Sequence, residues 1–310
     1  MGFMPLKTKL IFPILISFLA TAVYASSHAS AFQFVEEPVN PRNIAMGSAG
    51  TAMRGTGFSF YNPAQPFLSR VPYVSVEFGQ IHGDINRGTA ETAIVSPNWF
   101  AGISFITQSI DFPTSTEQGV GPKATNQGTV ASFTAGFIRD DFAAAITLNG
   151  LQDRFGHSAT YHGLSFSGGI TYRLIPGKLE LGLAGFNVGR SKGFLDDQHW
   201  RNHGIPRTLR AGGAWSDKIN DMPYTVTSDL VYRDETGQLL LPVGVELYTL
   251  PSLAVRLGKK FFHDTDIFTA GIGINLDNIA LDLSFVPTKL ESDYDIKWSV
   301  GLSYYLGARY

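Results

Sequence analysis

The sequence predicts an all-β protein, a single transmembrane antiparallel β-barrel of about 14 strands with an N-terminal plug, or hatch, in its lumen. The last stretch, residues 297–310, alternates between apolar and small or polar residues and ends on an aromatic residue, as a closing barrel strand commonly does. Similar two-residue periods recur from Tyr73 onward. Short connections alternate with longer ones, as periplasmic turns alternate with outer loops in such barrels.

Residues 1–31 predict a secretory signal peptide. A short basic region is followed by an apolar run over residues 10–23 and by cleavage patterns at residues 23–25 (Val-Tyr-Ala) and 29–31 (Ala-Ser-Ala). A transmembrane anchor is the weaker alternative, because the run is short and lacks a strong charged stop. The chain has no Cys, which excludes disulfides and Cys-based metal sites. The protein is therefore expected to leave the cytoplasm.

Composition narrows the function classes. The net charge of -2 argues against nucleic acid as a partner. After the leader, no apolar run is long enough for a membrane helix. The mean hydropathy of +0.03 fits a barrel, since each strand mixes lipid-facing and lumen-facing residues.

The barrel is expected to occupy residues 72–310 and to have its long loops at one end, including residues 110–127, 151–160 and 190–205. This pattern places both termini in the periplasm of a bacterial outer membrane. Aromatic residues near the short turns are expected at the lipid headgroups: Tyr73, Trp99, Phe137, Phe142, Tyr172, Trp215, Tyr224 and Tyr304. The strands are predicted near residues 73–80, 89–96, 99–109, 128–138, 142–150, 161–174, 178–189, 206–216, 223–233, 239–248, 252–261, 266–276, 279–286 and 295–307.

Several charged residues have the parity of lumen-facing positions. On the lipid face, an Arg near the midplane would cost roughly 2–4 kcal/mol. A structural salt-bridge lattice is the favoured interpretation of this polar network, ahead of a ligand site. Its members are Arg210, Asp229, Glu246, Arg256 and Asp282.

Residues 32–71 show no period and are rich in Gly and Pro, yet they carry many apolar side chains that need burial. A barrel of this size has room inside, so the segment is predicted to plug the lumen. Small residues at lumen positions would let its backbone approach the wall closely. The glycines among them are Gly136, Gly169, Gly182, Gly212, Gly244, Gly258, Gly271 and Gly273.

Residues 41–50 (Pro-Arg-Asn-Ile-Ala-Met-Gly-Ser-Ala-Gly), followed by Phe-Tyr-Asn-Pro-Ala at residues 60–64, resemble the N-terminal signature of the FadL superfamily. The resemblance implies a hatch that plugs a fourteen-stranded barrel. The modest length and the C-terminal repeats are closer to the PorV/PorQ-type branch. The Gly usual after Asn-Pro-Ala is Gln65 here, which is expected to alter the local backbone. The plug motif comprises Arg42, Met46, Gly47, Asn62, Pro63 and Ala64.

The first functional hypothesis is passive passage of hydrophobic or amphipathic small molecules through the plugged lumen, as FadL relatives imply. The second is an accessory barrel of a type IX-like secretion or cell-surface assembly, as PorV/PorQ types are. The third is a structural outer-membrane protein. The expected partners are outer-membrane lipid and, depending on the hypothesis, a hydrophobic ligand or secretion-complex proteins.

No enzyme signature is present: the chain lacks Gly-x-Ser-x-Gly, a phosphate loop and His-Glu-x-x-His. No cofactor is expected. His199 and His203 have the i, i+4 spacing of metal ligands on a helix, but they are more simply read as solvated loop residues.

Overall fold

The computed structural model describes residues 32–307 except 37, 83–84, 117–118, 157–158, 196–200, 263–266 and 291–292. The predicted signal peptide lies outside these residues. In the described part, fifteen strands form one sheet, in the order β6-β5-β4-β3-β2-β1-β15-β14-β13-β12-β11-β10-β9-β7-β8. The strands are Tyr73–His82 (β1), Ile85–Val95 (β2), Trp99–Thr116 (β3), Gly119–Arg139 (β4), Phe142–Phe155 (β5), Ala159–Ile175 (β6), Leu179–Leu195 (β7), Arg201–His203 (β8), Thr208–Ile219 (β9), Met222–Arg233 (β10), Gln238–Leu250 (β11), Leu253–Phe261 (β12), Ile267–Leu276 (β13), Ile279–Leu290 (β14) and Asp293–Tyr305 (β15).

The sheet closes on itself. The first strand pairs antiparallel with the last, from Tyr73 opposite Tyr305 to Gln80 opposite Trp298. A further pairing joins β6 to β7 and completes the ring. Because β8 pairs only with β7, the wall consists of the other fourteen strands. The predicted all-β, 14-stranded antiparallel barrel is confirmed.

Each strand separates apolar and polar side chains between its two faces. In β1, Val74, Val76 and Phe78 are 45–54% exposed, whereas Ser75 and Glu77 between them are buried. This alternation is the reverse of a soluble sheet protein, since the large apolar residues cover the outside and polar residues face inward. Among the described residues, no helix is long and apolar enough to cross a membrane.

Most of the aromatic residues expected at the lipid headgroups lie at the end of the barrel where β1 begins and β15 ends, here called the turn end. Trp99, Tyr172 and Tyr304 are 44–50% exposed there. The expectation is wrong for Tyr73, which is fully buried, because its parity in β1 is that of the inward residues. Its hydroxyl donates to Glu91 across the strand pair.

Loops at the opposite end, the far end, are shorter than predicted. The ladder between β3 and β4 continues to Thr116 opposite Gly119, through residues expected in the loop 110–127. Backbone pairing does not require alternating side chains, so strand residues beyond the alternating region escape a search by period. At the turn end, Asn220 and Asp221 both have left-handed φ (49° and 65°), as a two-residue type I′ hairpin turn requires.

The ladder between β7 and β9 is interrupted in its far half. Strand β7 pairs with β9 only up to Phe186 and with β8 from Ser191. Residues 187–190 and 204–207 do not pair across this stretch. Asn187 has a φ of 64° where the register against β6 shifts, and Pro206 has no N–H to donate.

Residues 32–71, here called the N-terminal segment, form turns and three short helices at Gln33–Glu36, Pro41–Ala45 and Pro66–Ser69. The side chain of Asn40 caps the second helix by accepting from the Asn43 backbone. That helix contacts β12–β15, and the third contacts β2 and β3. Met46, Phe58, Tyr61 and most other apolar side chains of the segment are buried. The second and third helices therefore contact strands on both sides of β1.

Candidate functional site

The residues of the predicted polar network form two groups, each bound to the N-terminal segment. In the first, Arg210 donates to Asp229 at 2.9 Å and to the Ser48 carbonyl at 2.7 Å. Asp229 also accepts from the backbone N–H of Gly50 at 2.9 Å and from the Thr51 hydroxyl at 2.7 Å. A buried carboxylate with this many donors is well compensated.

The second group joins Arg42 of the segment to three wall residues. Arg42 binds Glu246 through two nitrogens, at 2.9 and 2.6 Å, in a bidentate ion pair. Arg256 donates to the same carboxylate at 2.6 Å and lies 2.7 Å from Asp282, without hydrogen-bond geometry in the latter contact. Burial disfavours the charge on Arg42, but Glu246 more than compensates, so the pKa of Arg42 lies well above that of a free arginine.

Other wall carboxylates outside the predicted polar network also bind the segment. Arg54 forms an ion pair with the buried Glu180. Glu77 accepts from Asn40 at 2.6 Å. Glu91 accepts from the Gly57 backbone and from the Ser59 hydroxyl. The signal was available, since each has inward parity in its strand, but parity identifies only the face and not the partner.

The Asn-Pro-Ala part of the plug motif contacts β6. The Asn62 amide donates to the Ile170 carbonyl and to the Thr51 carbonyl, both at 2.9 Å, and more weakly to the Thr171 hydroxyl at 3.2 Å. Its oxygen accepts from the Ala64 backbone at 2.9 Å, which fixes the turn. A Cβ on Gly169 would lie 2.8 Å from the ring of Pro63. The turn therefore presses directly on the wall.

Gln65 replaces the expected glycine without strain. Its φ of −59° is helical and does not need Gly, so the expected change of backbone is not required by this residue. Its buried amide donates to the carbonyls of Met53 and Thr56, at 3.0 and 3.2 Å. Gln65 thus ties the Asn-Pro-Ala turn to the preceding loop.

Met46 and Gly47 of the plug motif lie against the wall glycines Gly244 and Gly258. The Gly47 N–H donates to the Thr269 hydroxyl at 2.9 Å, and that hydroxyl donates to the Ala45 carbonyl. Gly47 has a φ of 73°, and a Cβ there would lie 2.7 Å from a wall carbonyl. A glycine is required at this close approach.

The eight predicted lumen glycines divide into two sets. Five lie against the N-terminal segment, where a Cβ would collide with its atoms: Gly169, Gly182, Gly244, Gly258 and Gly271. The other three leave room for side chains of the wall itself. In these, Gly136 faces Phe100, Gly212 faces Asp229, and Gly273 faces Arg256.

An apolar cluster lies inside the barrel between the segment and β3–β6. Phe32 and Phe34 of the segment belong to it, with ring centroids 6.5 Å apart. Gly128 lies against the Phe34 ring. The surrounding side chains are all buried and apolar or aromatic: Phe60, Tyr61, Ile106, Val130, Leu151, Tyr161 and Ile205. Sequence analysis predicted the burial of the segment's apolar residues, but not that they gather here.

A cavity of about 710 Å³ opens at the turn end. Its lining includes the charged residues Arg42, Arg54 and Asp282 and the aromatic residues Tyr248 and Tyr305. Its walls mix both signs of charge with aromatic rings. The cavity thus meets the polar anchors of the segment, while the apolar cluster lies elsewhere.

The weak metal candidates gain no support. His199 lies outside the described residues, and only the backbone of His203 is described, in β8. No group of three or more potential metal ligands occurs among the residues that the structure describes.

Comparison with solved structures shows the same fold in known channels. The Ralstonia pickettii toluene transporter TbuX has a TM-score of 0.60 at 12% identity, with 89% of this chain and 100% of that chain covered. The CymD monoaromatic hydrocarbon channel has a TM-score of 0.62 at 12% identity, covering 90% and 99%. A Pseudomonas aeruginosa FadL homologue has a TM-score of 0.53 at 10% identity, covering 90% and 99%. No protein-family model and no curated protein sequence matches the chain.

Proposed function

We propose that this chain is an outer-membrane channel of the FadL type, through which small hydrophobic molecules pass without chemical change, and that residues 32–71 are its plug. The apolar exterior requires hydrocarbon around the barrel, and closed barrels without sheet edges are suited to that environment. Two of the similar solved structures are a toluene transporter and a monoaromatic hydrocarbon channel.

The apolar cluster inside the barrel carries the proposal. Many inward residues of the wall are Ser, Thr or charged, so a patch of apolar wall needs an apolar occupant. Two phenyl rings of the chain itself, Phe32 and Phe34, occupy it. A phenylalanine side chain differs from toluene by one hydrogen atom, so the same wall suits a molecule with a single aromatic ring.

The interrupted ladder between β7 and β9 supports a sideways exit. Ile205, in the unpaired stretch 204–207, belongs to the apolar cluster and is 2% exposed. An apolar molecule in the cluster would therefore reach the wall beside the interruption in the β7–β9 ladder. Exit into the bilayer would spare such a molecule the polar cavity at the turn end.

Uptake by whole cells tests this function, because the lipopolysaccharide leaflet is the barrier that such a channel would bypass. Cells expressing the protein should take up radiolabelled toluene faster than cells with an empty vector, and should not take up a labelled hydrophilic sugar faster. A variant with Phe32→Ala and Phe34→Ala keeps the wall and empties the cluster, so its toluene uptake should rise further. Equal toluene uptake with and without the protein, at matched expression, would refute the proposal.

The other two functional hypotheses have less structural support. The secretion accessory role depends on the resemblance to the PorV/PorQ-type branch, and no feature of the described residues favours it. The purely structural role would require the apolar cluster only to hold the N-terminal segment, and no further feature of the described residues favours it. Both stay predictions, and co-purification of a large secretion complex would revive the first of them.

A further inference from the structure

At its first described residue, the N-terminal segment makes a hydrogen bond to a buried carboxylate of the wall. The backbone nitrogen of Phe32 donates to Oδ2 of Asp153 at 2.8 Å. Both residues are buried, with 1% of Phe32 and 6% of Asp153 exposed. No Lys or Arg among the described residues forms an ion pair with Asp153. A buried carboxylate that receives only one neutral amide is poorly compensated.

The backbone of Phe32 is also unusual. Its φ is 73°, in the left-handed region that a bulky aromatic residue rarely adopts. At this angle the Cβ of a residue lies too close to the carbonyl group of the residue before it, and this crowding is the source of the strain. A chain that starts at Phe32 has no preceding carbonyl, so the strain does not arise.

The sequence places a predicted cleavage site directly before Phe32. The cleavage pattern Ala-Ser-Ala at residues 29–31 ends immediately before Phe32. We propose that a signal peptidase hydrolyses the bond between Ala31 and Phe32, and that the released α-ammonium group forms a buried ion pair with Asp153. The competing pattern at residues 23–25 would leave Ser26 as the first residue and Asp153 facing an amide.

The reaction needs only water. The carbon–nitrogen bond between the two residues breaks, the water oxygen joins the Ala31 carbonyl carbon, and both water protons end on the Phe32 nitrogen. The products are a carboxylate on the leader and an ammonium on the mature chain. An ammonium has three donors and a full positive charge, so it compensates Asp153 where a single amide does not.

The ion pair would fix the start of the segment. It holds the backbone of Phe32 at the wall and thereby keeps its ring, and that of Phe34 two residues later, in the apolar cluster. Removal of the leader would thus complete the folded state of the segment. The inference depends on the predicted leader and does not depend on which molecule the barrel conducts.

Mass spectrometry of the full-length protein extracted from outer membranes tests the cleavage. The intact mass and the N-terminal peptide should correspond to a chain that starts at Phe32 with a free amine. A start at Ser26, at any other residue, or a retained leader would overturn the proposal.

The ion pair is tested by the rate at which formaldehyde and a reducing agent methylate the α-amine of the folded protein at neutral pH. In the native protein this rate should be at least a hundredfold lower than after boiling in detergent. In Asp153→Asn it should rise at least tenfold, while Asp217→Asn, at an exposed ion pair of the turn end, should match the native protein. A native amine that reacts as fast as the denatured one would refute the ion pair even if Asp153→Asn failed to fold.

Discussion

Replacing Asn62 with alanine should loosen the N-terminal segment without disturbing the barrel. The Asn62 amide joins the Thr51 carbonyl of the segment to the Ile170 carbonyl of β6, each at 2.9 Å, and its oxygen receives the Ala64 N–H at 2.9 Å. The groups of Thr51 and Ala64 are buried and that of Ile170 is partly buried, so the truncation leaves them without this partner.

The magnitude follows from these three contacts. A buried polar group left without its partner costs about 1–3 kcal/mol, and about 1 kcal/mol for each of the three gives a loss of roughly 3 kcal/mol. At room temperature this corresponds to roughly a hundredfold larger population of the detached segment. If detachment admits ions, open events should become about a hundredfold more frequent.

Single-channel recording in planar bilayers measures this frequency. Asn149→Ala is the matched control, because Asn149 is a buried inward asparagine whose partners Ser132, Ser165 and Ser167 all belong to the wall. The control should lose stability by a similar amount but leave the closed conductance unchanged. Equal conductance in both variants and the native protein would mean that residues 32–71 do not close the lumen.

Three other predictions test the same structure. Gly169→Ala should raise ion leakage and lower thermal stability, because its Cβ would lie 2.1 Å from an oxygen of the N-terminal segment; Gly168→Ala, with its nearest atom at 3.7 Å, should do neither, and identical behaviour of the two would contradict the packing. Arg42→Ala removes a bidentate partner of Glu246 and should cost about 2–3 kcal/mol with increased leakage, while Lys178→Ala, at an exposed ion pair, should leave stability and leakage unchanged. The purified protein should migrate differently on gels before and after boiling, since detergent alone does not open a closed barrel, and unchanged migration would count against the barrel.

The two-residue period predicted the strands because lipid and lumen impose opposite demands on successive side chains. The two-residue period ends where these opposite demands no longer apply. Beyond the alternating residues, β3 and β4 continue as a backbone ladder up to Thr116 opposite Gly119. The same reasoning explains Tyr73, where composition near a strand end suggested the headgroups but parity determines the face.

Parity also placed Arg210 and Asp229 inside, yet it could not show what they bind. Their partners, such as Thr51, belong to a segment without a period, in which contacts arise from turns and tertiary packing. The motif that carries Asn62 pointed to this segment, but the direction of its side chain toward β6 depends on a local turn that the sequence only suggests. Gln65 illustrates this limit of sequence-based prediction. It departs from the motif and was expected to alter the backbone, but its side chain instead ties the turn to the preceding loop.

The N-terminal segment is held by two kinds of contact that respond differently to their surroundings. Around Asp229 and Glu246 the contacts are polar, and water can replace them at a modest net cost. Around Phe32 and Phe34 they are apolar, and exposing each ring to water would cost about 1.5–3 kcal/mol. A hydrocarbon that enters the cluster removes this second cost, because the wall stays covered when the rings leave. In the proposed channel, the molecule that passes would therefore itself weaken the plug, and selectivity for apolar molecules would follow without any catalytic step.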